Sequence, residues 1–214
     1  MKFLLFLSII FFNFSVNAAC FMKVYPQILH TGFIYPGSVI KKTNCPEKVK
    51  KKFRNILTNF SGKIKASYLA EVFRKDFMKY RIRIKPSIIT VAKMERLLKE
   101  ELNLADNWRW SNVKFNTGKR TLGLNNGDKL EINCANCKST GRKNIKLSIL
   151  RPSGKKRNYW LRGELKVRIK ALFAKHSLSA NSNLSEDLFL EKIIDTDNPE
   201  KIFTAKKILH YHRT

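Results

Sequence analysis

The hydrophobic period of this chain changes near Trp108, and that change limits the folds open to it. Upstream, apolar residues recur at helical spacing: Val49, Phe53, Ile56 and Leu57 form one stripe, with Lys48, Lys50, Lys51, Lys52 and Arg54 around it. Downstream the period is two. Ile145, Leu147 and Ile149 alternate with Lys146 and Ser148, and Leu165, Val167, Ile169 and Ala171 alternate with Lys166, Arg168 and Lys170. Alternation of that kind marks antiparallel strands with one buried face. The expected fold is therefore α+β: a small helical and extended N-terminal domain followed by an antiparallel β-rich region.

Finer signals place the elements. Pro46 opens the first helix from its first turn, Ser61-Gly62 ends it, and a second helix starts near Ser67 with Leu69, Val72, Phe73 and Phe77 inward. Ile82 and Ile84, Pro86, then Ile88, Ile89 and Val91 read as strand, turn, strand, and Met94 to Leu102 as a short helix. Asn126-Gly127 predicts a hairpin between Leu122-Gly-Leu124 and Leu130-Glu-Ile132. Pro152-Ser-Gly154 predicts another turn. At 43% hydrophobic residues, with only 9 Gly and 6 Pro in 214, the chain has enough apolar surface for a core and is not a low-complexity polymer.

The first residues address the chain for export. Lys2 precedes the apolar run Phe3 to Phe12, which has the length of a signal-peptide core and falls short of the roughly 20 residues of a membrane span. Val16 and Ala18 supply the small residues of a cleavage site, so residues 1–18 are expected to be removed and the mature protein to work in the periplasm. An alternative makes Cys20 a lipidated N-terminus, against which Asn17 stands where a lipobox prefers an aliphatic residue. No later segment is long and apolar enough to span a membrane.

Export governs how the cysteines and the charge are read. Cys20, Cys45, Cys134 and Cys137 form an even set in an oxidising compartment, where structural disulfides are expected, and four cysteines allow three pairings. Cys134-Ala-Asn-Cys137 has redox spacing, but it follows the strand-like stretch Lys129 to Asn133 rather than opening a helix. Metal is not expected, since neither the remaining cysteines nor the histidines, His210-x-His212 included, offer ligand spacing.

The formal net charge is +27, and residues 138–175 hold thirteen Lys or Arg with Glu164 as the lone acid. In a cytosolic chain that would suggest nucleic acid. Outside the cytoplasm the expected partners are instead envelope polymers such as peptidoglycan, or proteins, with no nucleic acid. Glu186, Asp187, Glu191, Asp195, Asp197 and Glu200 follow as an acidic cluster. Arg151, Lys155, Lys156 and Arg157 around the Gly154 turn, with Tyr159 and Trp160 just after it, combine cations with amphipathic aromatics and are the candidate partner-binding residues. A competing account keeps Trp160 in the core and the cations merely solvated.

The segment Val167 to Ile193 resembles the SAF module: a strand, a step carried here by Leu178, Ala180 and Asn181, then Leu184-Ser-Glu-Asp-Leu188. The second part has a physical rationale, in that Ser185 can cap a short helical turn with Glu186 and Asp187 at its positive end. The stretch covers about thirty residues. In the order of its parts the whole chain resembles the flagellar basal-body P-ring formation protein family: signal peptide, Cys-bearing N-terminal domain, the strand Leu130 to Cys134, an alternating strand and the SAF segment. The resemblance divides the chain into 1–18, a signal peptide; 19–107, the N-terminal α+β domain; 108–162, a β-rich connecting region; and 163–214, a SAF-like β-clip module. Family members continue into a Gly-rich β segment where this chain has Ile202 to Lys207 and then Leu209 to Thr214, so the module is expected to be truncated.

What the resemblance implies is binding: a periplasmic chaperone that helps the P-ring subunit assemble around the flagellar rod, without catalysis or cofactor. The sequence carries no G-x-S-x-G elbow, P-loop, H-E-x-x-H or dinucleotide fingerprint. Two other readings remain open: a cell-wall or pilus-assembly binding module of the SAF type, and a thiol-disulfide protein using Cys134 and Cys137.

Overall fold

The computed structural model describes residues 19–179 and 185–205, so the expected signal peptide, Ala180 to Leu184 of the SAF-like step and the terminal His210 and His212 lie outside the described residues. The N-terminal half runs β1 (Phe21–Val24), β2 (Gln27–His30), α1 (Pro36–Val39), β3 (Ile40–Thr43), α2 (Glu47–Asn59) and β4 (Gly62–Lys65). It continues with α3 (Ala66–Val72), α4 (Arg74–Tyr80), β5 (Arg83–Lys85), β6 (Ile88–Lys93) and α5 (Met94–Glu101). Strands then dominate: β7 (Trp108–Phe115), β8 (Thr121–Leu124), β9 (Lys129–Cys134), β10 (Gly141–Leu150), β11 (Lys156–Ala174) and β12 (Phe189–Thr196). The α+β expectation holds, with mostly antiparallel strands in three sheets.

Helix α2 follows directly from its sequence. Pro46 stands at its N-cap position, Glu47 opens the first turn, and Val49, Phe53 and Leu57, each four residues apart, are buried on one face. Ser61-Gly62 does end it, but Gly62, at φ +118, begins strand β4 rather than a loop. The second expected helix is two short ones, α3 and α4, meeting at Phe73, whose buried ring and that of Phe77 lie 6.1 Å apart.

A four-stranded sheet of order β4-β6-β2-β8 is the shared wall of the molecule. Successive residues of β2 face opposite ways: Ile28 packs into a core with Phe53, Phe73 and Met22, whereas Leu29 packs into a second with Met94, Leu98 and Leu147. Burial on both sides is why Ile28, Leu29 and His30 are all inaccessible. A three-stranded sheet of order β3-β1-β5 backs the first core, and the disulfide Cys20–Cys45 ties the start of β1 to the approach of α2.

The Asn126-Gly127 turn is present, with Gly127 at φ +82, but it does not close a hairpin. β8 pairs antiparallel with β2 and β9 with β10, so the turn passes the chain from one sheet to another. Leu122 and Leu124 are captured by the second core, and that long-range burial outweighs the local turn signal.

The third sheet is organised by β11. Its first half pairs with β10 through the Arg151 to Lys155 turn, and its middle also pairs with β7. Val167 pairs with Trp108 on one side and Thr196 on the other, so β12 continues along the same edge as β10. Gly163 lets these strands approach closely: a Cβ would lie 3.0 Å from the Val113 side chain and 3.1 Å from that of Trp110, so both would have to shift.

Candidate functional site

Basic β11 and acidic β12 neutralise each other where they pair. Arg168 donates to both Asp195 carboxylate oxygens, at 2.8 and 3.0 Å, and holds that carboxyl below its ordinary range, while Lys170 lies 2.9 Å from Glu191. The turn before β12 is a single 3₁₀ turn, Glu186–Leu188. Ser185 stands at its N-cap position without making a capping bond, contrary to expectation; its side chain hydrogen-bonds the Asp187 carboxylate instead, which lowers the Asp187 pKa.

Elsewhere some cations pair singly, Lys52 with Asp76 and Lys99 with Asp106 among them, while a set without carboxylate partners among the described residues lines three adjoining clefts. The first, about 300 Å³, lies between the loop carrying Tyr35, the start of β8 and the β10–β11 turn, and is lined by Lys119, Arg120, Arg151 and Arg157 with Tyr25 and Tyr159. Lys119 and Arg120 also line the second, of about 470 Å³, which includes Phe33, Asn116, Lys114 and Arg162. Lys114 and Arg162 lead into the third, about 560 Å³, with Asn112, Arg142, Lys143, Asn144 and Glu164. Together they form one trough.

Sheet register explains its lining. Asn144, Arg162 and Lys114 stand opposite one another on β10, β11 and β7, which puts them on a common face, away from the buried Ile145, Leu161 and Phe115. Glu164 is the lone acid in the trough and is occupied: it accepts from Asn112 Nδ2 at 3.2 Å and lies 3.6 Å from Lys166 Nζ. Among the described residues no carboxylate comes within 4.0 Å of the other trough cations. Two of them rest on aromatic faces instead: Lys119 Nζ is 5.1 Å from the Tyr159 ring centre, and the Arg120 guanidinium 5.3 Å from that of Phe33. Arg151 Nε is buried with no hydrogen-bond partner among the described residues. Asp128, on the turn where Gly127 meets Pro152, makes no ion pair with it and accepts the Asn125 N–H at 2.9 Å.

Strand alternation divides the six residues expected from sequence. Arg151, Arg157 and Tyr159 enter the first cleft, with Arg157 and Tyr159 on the face of their partners Ile149 and Leu147. Lys156 turns to the other side and meets Glu131 at 2.5 Å, and Lys155 is exposed at the turn. Trp160 is not a core residue: its side chain is 50% exposed, on the outer face beside Lys146. Sequence reasoning missed Lys114, Lys119, Arg120 and Arg162. Lys119-Arg120 beside Gly118 looks like an ordinary polar loop until β8 docks on β2 and carries it to the β10–β11 turn.

All four cysteines are in disulfides, as expected, and of the three possible pairings the fold adopts Cys20–Cys45 and Cys134–Cys137. The second closes the turn between β9 and β10 and stands at no helix N-terminus.

No protein-family model matches the chain, and no curated protein matches it. Among solved structures it is similar to the crystal structure of flagellar protein FlgA from Thermotoga maritima MSB8, with a TM-score of 0.33 and 9% identity, over 88% of this chain and 70% of that one.

Proposed function

We propose that this chain is an exported assembly chaperone that docks the subunit of the flagellar P-ring. The observation that carries the reading is the SAF-like sequence of Val167 to Ile193, whose described parts, up to Ser179 and from Ser185, run along the end of β11, the Glu186–Leu188 turn and strand β12. The signal-like N-terminal segment and two disulfides suit an oxidising compartment. Among the described residues no helix is long and apolar enough to cross a membrane. The trough supplies a surface whose charge is free to meet a partner.

The test is genetic and biochemical together. The mature protein is expected to capture the P-ring subunit from periplasmic extract, and a deletion strain to assemble few complete rings and swim poorly. Capture of nothing, with normal rings in the deletion strain, removes the reading. The uncompensated trough favours a second one, a binder of anionic wall polymer. Salt-sensitive cosedimentation with peptidoglycan, without subunit capture, would select it.

A further inference from the structure

We infer that the outer face of the β3-β1-β5 sheet docks on an anionic phospholipid bilayer, with Lys42, Lys23 and Lys85 on the lipid phosphates and Phe21 at headgroup depth. The cleft on this face shares no lining residue with the trough, and the inference goes beyond the subunit-docking reading rather than resting on it.

Register brings like charges together. Lys23 on β1 stands opposite Lys42 on β3 and Lys85 on β5, so three lysines form one row across the sheet, and Phe21 stands opposite Arg83 in the next row. Alternation puts all five on the side away from Met22 and Val24, which are buried in the first core, and all five are exposed. Opposite side chains on neighbouring strands start about 5 Å apart, where like charges repel. The β11–β12 pair meets its cations with Asp195 and Glu191, but this sheet has no such answer. Residues 19–46 and 77–94, which supply its strands, hold eight Lys or Arg and no Asp or Glu. Among the described residues no carboxylate comes within 4.0 Å of Lys23, Lys42, Arg83 or Lys85. The row destabilises the free chain, and a negative surface relieves it.

Apolar groups beside the row select a bilayer over a soluble polyanion. Phe21 keeps 37% of its surface exposed, at a cleft of about 310 Å³ lined also by Met22, Lys23, Arg83 and Lys85. The Cys20 N–H bonds the Tyr80 carbonyl at 2.9 Å, so α4 ends where β1 begins. Met78, near that end of α4, is 81% exposed, and Lys79 and Arg81 are exposed beside it. Cations around exposed apolar side chains suit the headgroup boundary, where lysine stems lie along apolar surface while their ammonium groups reach phosphate. The apolar run Phe3 to Phe12 ends nine residues before Phe21, a span of at most about 30 Å of extended chain. A bilayer that engages that run during export lies within reach of this face.

The experiment measures cosedimentation of the mature chain with phosphatidylcholine vesicles and with equimolar phosphatidylcholine–phosphatidylglycerol vesicles, and its binding to inorganic polyphosphate in solution. Salt-sensitive binding to the anionic vesicles is expected, and none to phosphatidylcholine alone. The triple variant Lys23→Gln/Lys42→Gln/Lys85→Gln is expected to lose about tenfold or more in vesicle affinity, against less than about threefold for Lys48→Gln/Lys51→Gln/Lys155→Gln, which removes the same charge elsewhere. Phe21→Ser is expected to weaken vesicle binding about threefold or more and to leave polyphosphate binding within about twofold. Because the row is repulsive, the sheet triple is expected to melt at or above the parent at low salt. Should it melt lower, Lys23→Gln alone replaces it, with an expected loss of about fivefold. Absence of parent binding to the anionic vesicles, equal binding by the two triples, or an equal loss of polyphosphate binding in Phe21→Ser overturns the inference. The sheet triple is expected to capture the P-ring subunit as the parent does. Capture by neither removes the chaperone reading and leaves the bilayer inference to the vesicles; capture lost in the sheet triple alone makes this face a protein surface and overturns the inference.

Discussion

His30 sits fully buried in the central sheet, its Nδ1 accepting the Gly32 N–H at 3.1 Å. Burial, and then the charge of Lys93, hold its pKa below the ordinary 6.5. As pH falls through 6.5 the unfolded chain takes up a proton there that the folded chain refuses, so stability is present above that value and declines below it. Half-buried Glu95 works the other way, since burial raises its pKa and the folded state holds that proton more tightly. Chemical denaturation of the parent and His30→Gln across this range isolates the imidazole: the parent is expected to lose up to about 1.4 kcal/mol per pH unit more than the variant just below 6.5. Gly123 is a second single-residue constraint. A Cβ there would stand 2.3 Å from the Tyr25 ring and 2.7 Å from the Ser38 carbonyl oxygen. Because backbone as well as a side chain must give way, Gly123→Ala is expected to cost about 1–3 kcal/mol, read as a lowered denaturation midpoint.

At the scale of elements, the amphipathic helix and the long strands were legible because their signals are local and repeated. Val49, Phe53 and Leu57 lie on one turn-to-turn stripe, and the β10–β11 hairpin keeps its two-residue period on both arms. What could not be read was pairing. Leu122-Gly-Leu124 carries the same local signature whether it joins β9 or β2, and the choice is made by Leu29, Met94 and Leu98 far away in sequence. For the same reason β4 and the break at Phe73 were invisible, since each is set by packing against β6 and the first core. Cys20–Cys45 joins residues 25 apart, both buried, and restricts the unfolded chain far more than Cys134–Cys137, which spans 3. Removing the first pair as Cys20→Ser/Cys45→Ser is expected to lower stability by about 3 kcal/mol, and the second by clearly less; urea titrations of the two double variants decide it.

Across the whole molecule, a formal charge of +27 resolves into three populations. One part is neutralised internally, as in the pairing of β11 with β12; a second is spread over exposed faces such as that of α2; a third lines the clefts from the β10–β11 turn to the outer face of β7. Of the six residues expected from the turn at Gly154, Arg151, Arg157 and Tyr159 line the first cleft. The remainder of the trough was not legible, because Lys114, Lys119, Arg120 and Arg162 converge only through sheet register and the docking of β8. A protein partner docked in this trough would shield its segments, and hydrogen-exchange footprinting of the mature chain with and without purified P-ring subunit reads that shielding. Slowed exchange is expected at Val113 to Lys119 and Arg151 to Tyr159, with the exposed face of α2 unchanged. Protection confined to α2 or to the β11–β12 pair, with the trough segments exchanging as in the free chain, would contradict it.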